Sequence, residues 1–240
     1  MIKYYLHVPE LDGWQVMFAE VLEKMEASGL LEKADEINFC FNGVRSTGQL
    51  AIQPLVDANP KFKYVHVNGD AAKWEWPTLN QLKEDADADD EVHYVGYGHL
   101  KGLSRPDKTD QKAIDWRDYL VYWGIERWED SIKKLDEGYE ISSVNWMTFP
   151  WTHFSGNFWW ANTNYIRRLQ KLQDPSKIVL GQISEYLTDI VLDPGNVRYE
   201  CEVWPSSGQP NQYELHASHP KGDTSFHYNN TYPPSKYRDV

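Results

Sequence analysis

The chain has 240 residues, 25% of them charged, so it is long enough for one substantial core and too ordinary in composition for wholesale disorder. Its formal net charge of −12 argues against a nucleic-acid backbone or an anionic membrane as the main partner, while leaving room for a small anion in a local basic pocket. Two cysteines, Cys40 and Cys201, read as reduced thiols of a cytoplasmic protein, and no apolar run is long enough for a signal peptide or a bilayer span.

Residues 2–8 read as a strand stopped at Pro9. Trp14, Met17, Phe18, Val21, Leu22 and Met25 then repeat at three and four residues, the signature of an amphipathic helix closed near Gly29. A second strand at 37–41 turns at Asn42-Gly43. A short helix follows at 50–56, a third strand at 62–67, a helix opening at Thr78–Leu82 and a fourth strand at 92–97. Strands alternating with helices imply crossover units, hence an α/β fold with a mostly parallel sheet flanked by helices. Ligands of such sheets bind beyond the carboxyl ends of the strands, which nominates His7, Asn42, Asn68, Asp70, His99 and Lys101 by topology.

Beyond a polar loop at 102–112, Asp115-Trp-Arg-Asp118 has capping-box spacing, with aspartate in place of glutamate. Val121, Ile125, Trp128, Ile132 and Leu135 predict one buried helix face, ended by Gly138. Residues 139–146 read as a strand leading to His153-Phe-Ser-Gly-Asn-Phe-Trp-Trp-Ala161. There a glycine lets the backbone pass close to whatever the aromatics wall in. Asn162 or Thr163 can cap the helix carrying Tyr165, Ile166 and Leu169. A helix at 184–191, a turn at 193–195 and a short strand-like run at 198–204 complete the domain, 1–204. The remainder, 205–240, reads as an extended tail wrapped on it.

Several patterns bear on chemistry. The acidic run Glu84–Glu91 contains Asp-X-Asp spacings, but it precedes the fourth strand and reads as a solvated helix end. After that strand, where an Asp-X-Asp would hold a metal, stands Tyr97-Gly-His-Leu-Lys-Gly102. Lys101 between two glycines either neutralises a diphosphate without a metal ion or is a surface lysine in a glycine-rich turn. His153 as imidazolium would donate to a phosphate, although a lone histidine is more often structural. Arg117 either joins that anion site or pairs with Asp118 or Glu126. Strand alternation would turn Glu202 away from Cys201 and Val203, as an edge charge or a general base. The tail histidines His216, His219 and His227 lack metal-ligand spacing. The 11 tryptophans and 15 tyrosines suit a sugar-binding surface as well as an ordinary core.

Tyr97-Gly-His-Leu-Lys-Gly102, Trp116-Arg117, His153–Ala161, Glu202-Val-Trp204 and Glu75-Trp-Pro-Thr-Leu79 together resemble a family of small glycosyltransferase-type domains from bacterial polysaccharide loci and large viruses. The resemblance covers about 1–205; Gly98 and Leu100 depart from its Lys-Gly motif. It implies a GT-A-like fold in which residues 1–102 bind a nucleotide-sugar, UDP-sugar favoured, and 103–204 bind a glycan or other hydroxyl acceptor. The expected donor-binding residues are His7, Asn42, Asp70, His99, Lys101, Arg117 and His153. Ser155, Gly156, Asn157, Trp159 and Trp204 are expected on the acceptor side, and Glu202 as the base of an inverting transfer with no required metal. The alternative from a different class is a non-catalytic carbohydrate-binding module.

Overall fold

Four parallel strands organise the first hundred residues in a computed structural model that describes residues 1–70, 74–149, 151–172, 199–219, 223 and 225–238. Strands β1 (Ile2–Pro9), β2 (Glu36–Asn42), β3 (Phe62–Asn68) and β4 (Tyr94–His99) lie in the order β3-β2-β1-β4. Helices α1 (Trp14–Ala27) and α2 (Leu30–Lys33) link β1 to β2, and α3 (Arg45–Ala58) links β2 to β3. Helix α4 (Trp76–Asp87) then carries the chain back across to the far side of β1. Strand order therefore reverses between β1 and β4, the point at which sheets of this kind leave a crevice at the carboxyl ends of the strands.

Alternation along each strand divides the core between two faces. Tyr4, Leu6 and Val8 of β1 pack with Trp14, Met17 and Phe18 of α1, whereas Tyr5 packs with Leu79 and Leu82 of α4. Across β4 the faces differ in bulk. Val95 and Tyr97 fill the α4 side; a Cβ on Gly96 or Gly98 would come within 2.5 and 2.4 Å of Tyr4 atoms. Gly98 is thus required by the rings of Tyr4 and Phe158 packed over it.

The second half extends the sheet with changed direction. Strand β5 (Ile141–Ser143) is followed by the two-stranded ribbon β6 (Trp146–Met147) and β7 (His153–Phe154), then by β8 (Trp159–Asn162). β8 is antiparallel to both β4 and β5, and β9 (Gln212–Glu214) lies parallel to β5 at the edge, giving seven strands among the described residues. Trp159 and Trp160 point to opposite faces of β8 and are fully buried. Rings of this size bury roughly 150–250 Å² each, on the order of 4–6 kcal/mol of transfer free energy at about 25 cal/mol per Å². β8 thereby anchors both cores.

Several local expectations are corrected. The single helix expected from 115 to 135 is α5 (Gln111–Val121), a π-helical turn (Tyr122–Glu126) and α6 (Trp128–Asp136). Its cap is Asp110, whose side chain accepts from the Lys112 amide. Asp115 is instead buried, accepting from Gln111 Nε2 at 2.7 Å and the Tyr232 amide at 2.9 Å. Within the run expected as strand-like at 198–204, α8 (Glu200–Val203) leads into a 3-10 turn at Trp204–Ser206. Helix α3 begins at Arg45, earlier than expected, and the strand expected over 139–146 is broken by Asn145, with φ of 54°. Helix α7 (Thr163–Arg168) is capped as expected by Asn162, which accepts from the Tyr165 amide at 2.9 Å. The expected helix at 184–191 and the turn at 193–195 lie outside the described residues.

Candidate functional site

At the switch point, His7 near the end of β1 and His99 at the end of β4 are paired in register. Both are buried. His7 Nδ1 shares a 2.8 Å hydrogen bond with Thr78 Oγ1 of α4, and His99 Nε2 lies 3.0 Å from the Gly156 carbonyl oxygen. Burial pushes the His7 imidazole down to about 4, against an opposing pull from Glu75. It pushes His99 down to about 3, with the nearby Lys101 charge adding to the effect. Both rings are therefore neutral at pH 7, and positive charge in this crevice comes from Lys101.

The Gly156 carbonyl reaches His99 because the loop before β8 reverses sharply. Gly156 has φ of 95° and Asn157 φ of 55°, two consecutive left-handed residues, the first glycine and the second a residue type that tolerates that region. A Cβ on Gly156 would sit 2.5 Å from Leu120 Cδ1, so space and backbone both demand glycine. The reversal turns Asn157 inward. Its Oδ1 accepts from Trp159 Nε1 at 2.9 Å, and its Nδ2 donates to Glu75 Oε2.

Glu75 is the group that the sequence reading did not select. It stands at the N-cap position of α4, and its Oε2 also accepts from the Tyr97 hydroxyl at 3.1 Å. Its other oxygen, Oε1, lies 3.6 Å from His99 Nδ1. The signal was present in Trp76-Pro77: a proline in a helix's first turn marks its start, and a helix that follows a strand starts at the carboxyl edge of the sheet.

Lys101, two residues past His99, lies 4.5 Å from the Trp116 ring of α5. It has no carboxylate partner among the described residues. Trp116 in turn stacks on His227 of α9 (Phe226–Asn229), with ring centres 5.1 Å apart and planes 9° apart. Glu202, half-exposed on α8 between buried Cys201 and Val203, has no hydrogen bond or ion pair to a described residue. Its charge is felt at His99.

The remaining expected site residues lie further out. Asn42 is buried at the end of β2 and donates to the Trp74 carbonyl at 3.1 Å. Asp70 is exposed beyond β3, its amide bonded to Asn68 Oδ1 at 2.8 Å. Arg117 turns to Glu20 of α1 at 3.4 Å and to Asp118 at 3.7 Å. His153 is buried in β7, its Nδ1 2.9 Å from the Trp151 carbonyl, on the strand that packs against α8. Ser155 is anchored by its amide to the Asn145 carbonyl at 3.0 Å. Trp159 stacks on Tyr97 at 5.3 Å, and Trp204 packs 6.2 Å from Trp159, both as buried core rings behind the crevice.

Among the described residues, Asp89, Glu91 and His93 also form a group with metal-ligand geometry. It precedes β4, at the opposite end of that strand from His99. His93 Nε2 is 2.6 Å from Asp89 Oδ2, and Arg167 Nη1 donates to the Glu91 carbonyl oxygen, so the turn is tied together by its own residues.

Comparison with protein families matches residues 4–209, a span that takes in nearly all of β1, strands β2 to β8 and the residues around His7 and His99, to the Domain of unknown function (DUF8361). The chain belongs to this family. The family's description names no activity, and no curated protein matches the chain. No helix among the described residues is long and apolar enough to cross a membrane.

Proposed function

We propose that this DUF8361 chain is a glycosyltransferase that moves a sugar from a nucleotide-sugar to a glycan or other hydroxyl acceptor with inversion. The observation that carries the reading is the pair of uncommitted charges at the crevice: both Lys101 and Glu202 act electrostatically on His99, and neither has an ionic partner among the described residues. A cation and a carboxylate that each lack an ionic partner suit a reaction in which an anion leaves while a proton is removed elsewhere. The sequence resemblance and the switch-point topology support the same class. The reading assigns the donor to the β1–β4 end and the acceptor to the second half of the chain.

In this mechanism the acceptor oxygen attacks the anomeric carbon while Glu202 takes its proton. The bond from that carbon to the diphosphate oxygen breaks with its electron pair, and the departing diphosphate is neutralised by Lys101. His7 and His99, held neutral, act as hydrogen-bonding groups. No metal is required for these steps. Nucleotide binding should therefore survive chelation; its loss in EDTA and recovery with manganese would overturn that part.

Calorimetry with UDP-, GDP-, dTDP- and CMP-sugars is the decisive experiment, with at least one expected to bind. If none binds while free glycans do, a non-catalytic carbohydrate-binding module replaces the reading. Glu202→Gln should leave donor affinity and the thermal midpoint unchanged while lowering transfer by about two to four orders of magnitude. Near wild-type transfer by that variant would place the base elsewhere.

A further inference from the structure

The contact between His99 and Glu75 holds an unmet demand for hydrogen. A carbonyl oxygen cannot donate, so the 3.0 Å contact between His99 Nε2 and the Gly156 oxygen requires the proton on Nε2. With the ring neutral, Nδ1 carries a lone pair, and that lone pair faces Glu75 Oε1 at 3.6 Å. The separation is beyond hydrogen-bond range. Glu75 Oε2 is already supplied by two donors, Tyr97 and Asn157, whereas Oε1 has none among the described residues. Two acceptors thus confront each other at the strand-order reversal, in a wall formed by Tyr97, Asn157 and Phe158. A hydroxyl is the commonest neutral donor that meets such acceptors. A vicinal diol suits the site best, because it supplies one hydrogen to each acceptor.

We infer that Glu75 Oε1 and His99 Nδ1 form a hydroxyl-binding clamp that accepts hydrogen bonds from a sugar or ribose diol. This deepens the proposed donor site without depending on transfer, because a carbohydrate-binding protein would use the same clamp. Tyr97, His7, Cys201, Lys101 and Glu202 are titratable groups that interact with the pair. The side chain of Glu75 is 18% exposed and that of His99 10%, so the pair is not sealed from solvent.

The test is nitrogen NMR of the histidine rings with glucose, ribose, UDP and UDP-glucose as probes and tetrahydropyran as the ring without hydroxyls. In the free protein at pH 7, His99 should be neutral with its proton on Nε2; an imidazolium, or a proton on Nδ1, overturns the inference. At least one hydroxylated probe should move the Nδ1 resonance, and tetrahydropyran should not. If no probe moves it, the clamp is wrong even where a nucleotide binds by calorimetry. If glucose or ribose moves it while no nucleotide binds, the clamp stands and the glycosyltransferase reading falls. Glu75→Gln sharpens the test, since its amide oxygen still accepts from Tyr97 and Asn157 while its NH2 donates to Nδ1. That variant should fold with an undiminished thermal midpoint and bind the active probe about tenfold to a hundredfold more weakly, the effect of losing a charge-assisted hydrogen bond. Unchanged affinity in Glu75→Gln would show the pair closed by its own proton, and the clamp would be rejected.

Discussion

Individual residues at the crevice make their own demands on stability. Gly156 combines φ of 95° with a Leu120 methyl 2.5 Å from any added Cβ. Gly156→Ala should therefore cost about 2–3 kcal/mol through strain and overpacking together. Urea unfolding would check it, and a loss below about 0.5 kcal/mol, the usual size of surface effects, would refute it. Acid sensitivity is a second consequence. His7, His99 and His227 fall from 6.5 to about 4, 3 and 3 on burial, so the unfolded chain binds protons below pH 6.5 that the folded chain refuses. Each group then lowers stability by about 1.4 kcal/mol per pH unit until its folded value is reached. Glu200, raised from 4.5 to about 7 by burial, opposes one such slope between pH 7 and 4.5. The net expectation is a falling urea midpoint from pH 6.5 to 4.5, partly flattened in His99→Gln. A level midpoint across that range would show that these rings are not kept neutral.

Among the elements, the broken helix at 111–136 is the most informative. Its three- and four-residue spacing was legible, and Val121, Ile125, Trp128 and Leu135 are all buried. The π-helical turn at Tyr122–Glu126 was not, because it answers to a distant residue: Trp160 Nε1 of β8 donates to the Gly124 carbonyl at 2.8 Å. A wider turn frees a carbonyl that a regular helix would have used internally. Trp160→Phe removes that donor and part of the ring packed on Tyr4 and Trp128, and should cost about 2–4 kcal/mol. A thermal midpoint within 1–2 °C of wild type, roughly the shift expected from a fraction of a kcal/mol, would contradict this account.

For the molecule as a whole, the segment beyond residue 209 is structural. β9 completes the sheet edge, the Leu215 amide donates to the Ser143 carbonyl at 2.7 Å, and the Glu140 amide to the Asn211 carbonyl at 2.8 Å. Ser218 also donates through its amide to buried Asn145 Oδ1 at 2.8 Å, and Trp116 stacks on His227. A chain ended at residue 209 exposes the edge of β5 and strips those partners away. It should melt without a cooperative transition or elute as aggregate in size-exclusion chromatography. A monodisperse product with an unchanged melting curve would show the segment dispensable.

Periodicity in the sequence determined the parallel half of the sheet, the amphipathic helix α1 and the carboxyl-edge positions of His7, His99 and Lys101. Those features depend on local spacing and on a topological rule that holds for any such sheet. Asn162 as a cap was equally legible, since an N-cap acts within three residues. Glu202 was expected on a strand because Cys201 and Val203 are apolar and flank it; its four-residue helix is too short for a period to register. Glu75 and the reversed loop at Gly156-Asn157 were decided by tertiary structure. Glu75 is separated from Asn157 by 82 residues and from Tyr97 by 22, and only the return of α4 across β1 brings the three side chains together. Hydrogen bonds spanning such distances leave no spacing in the chain, because each partner is placed by a different packed element.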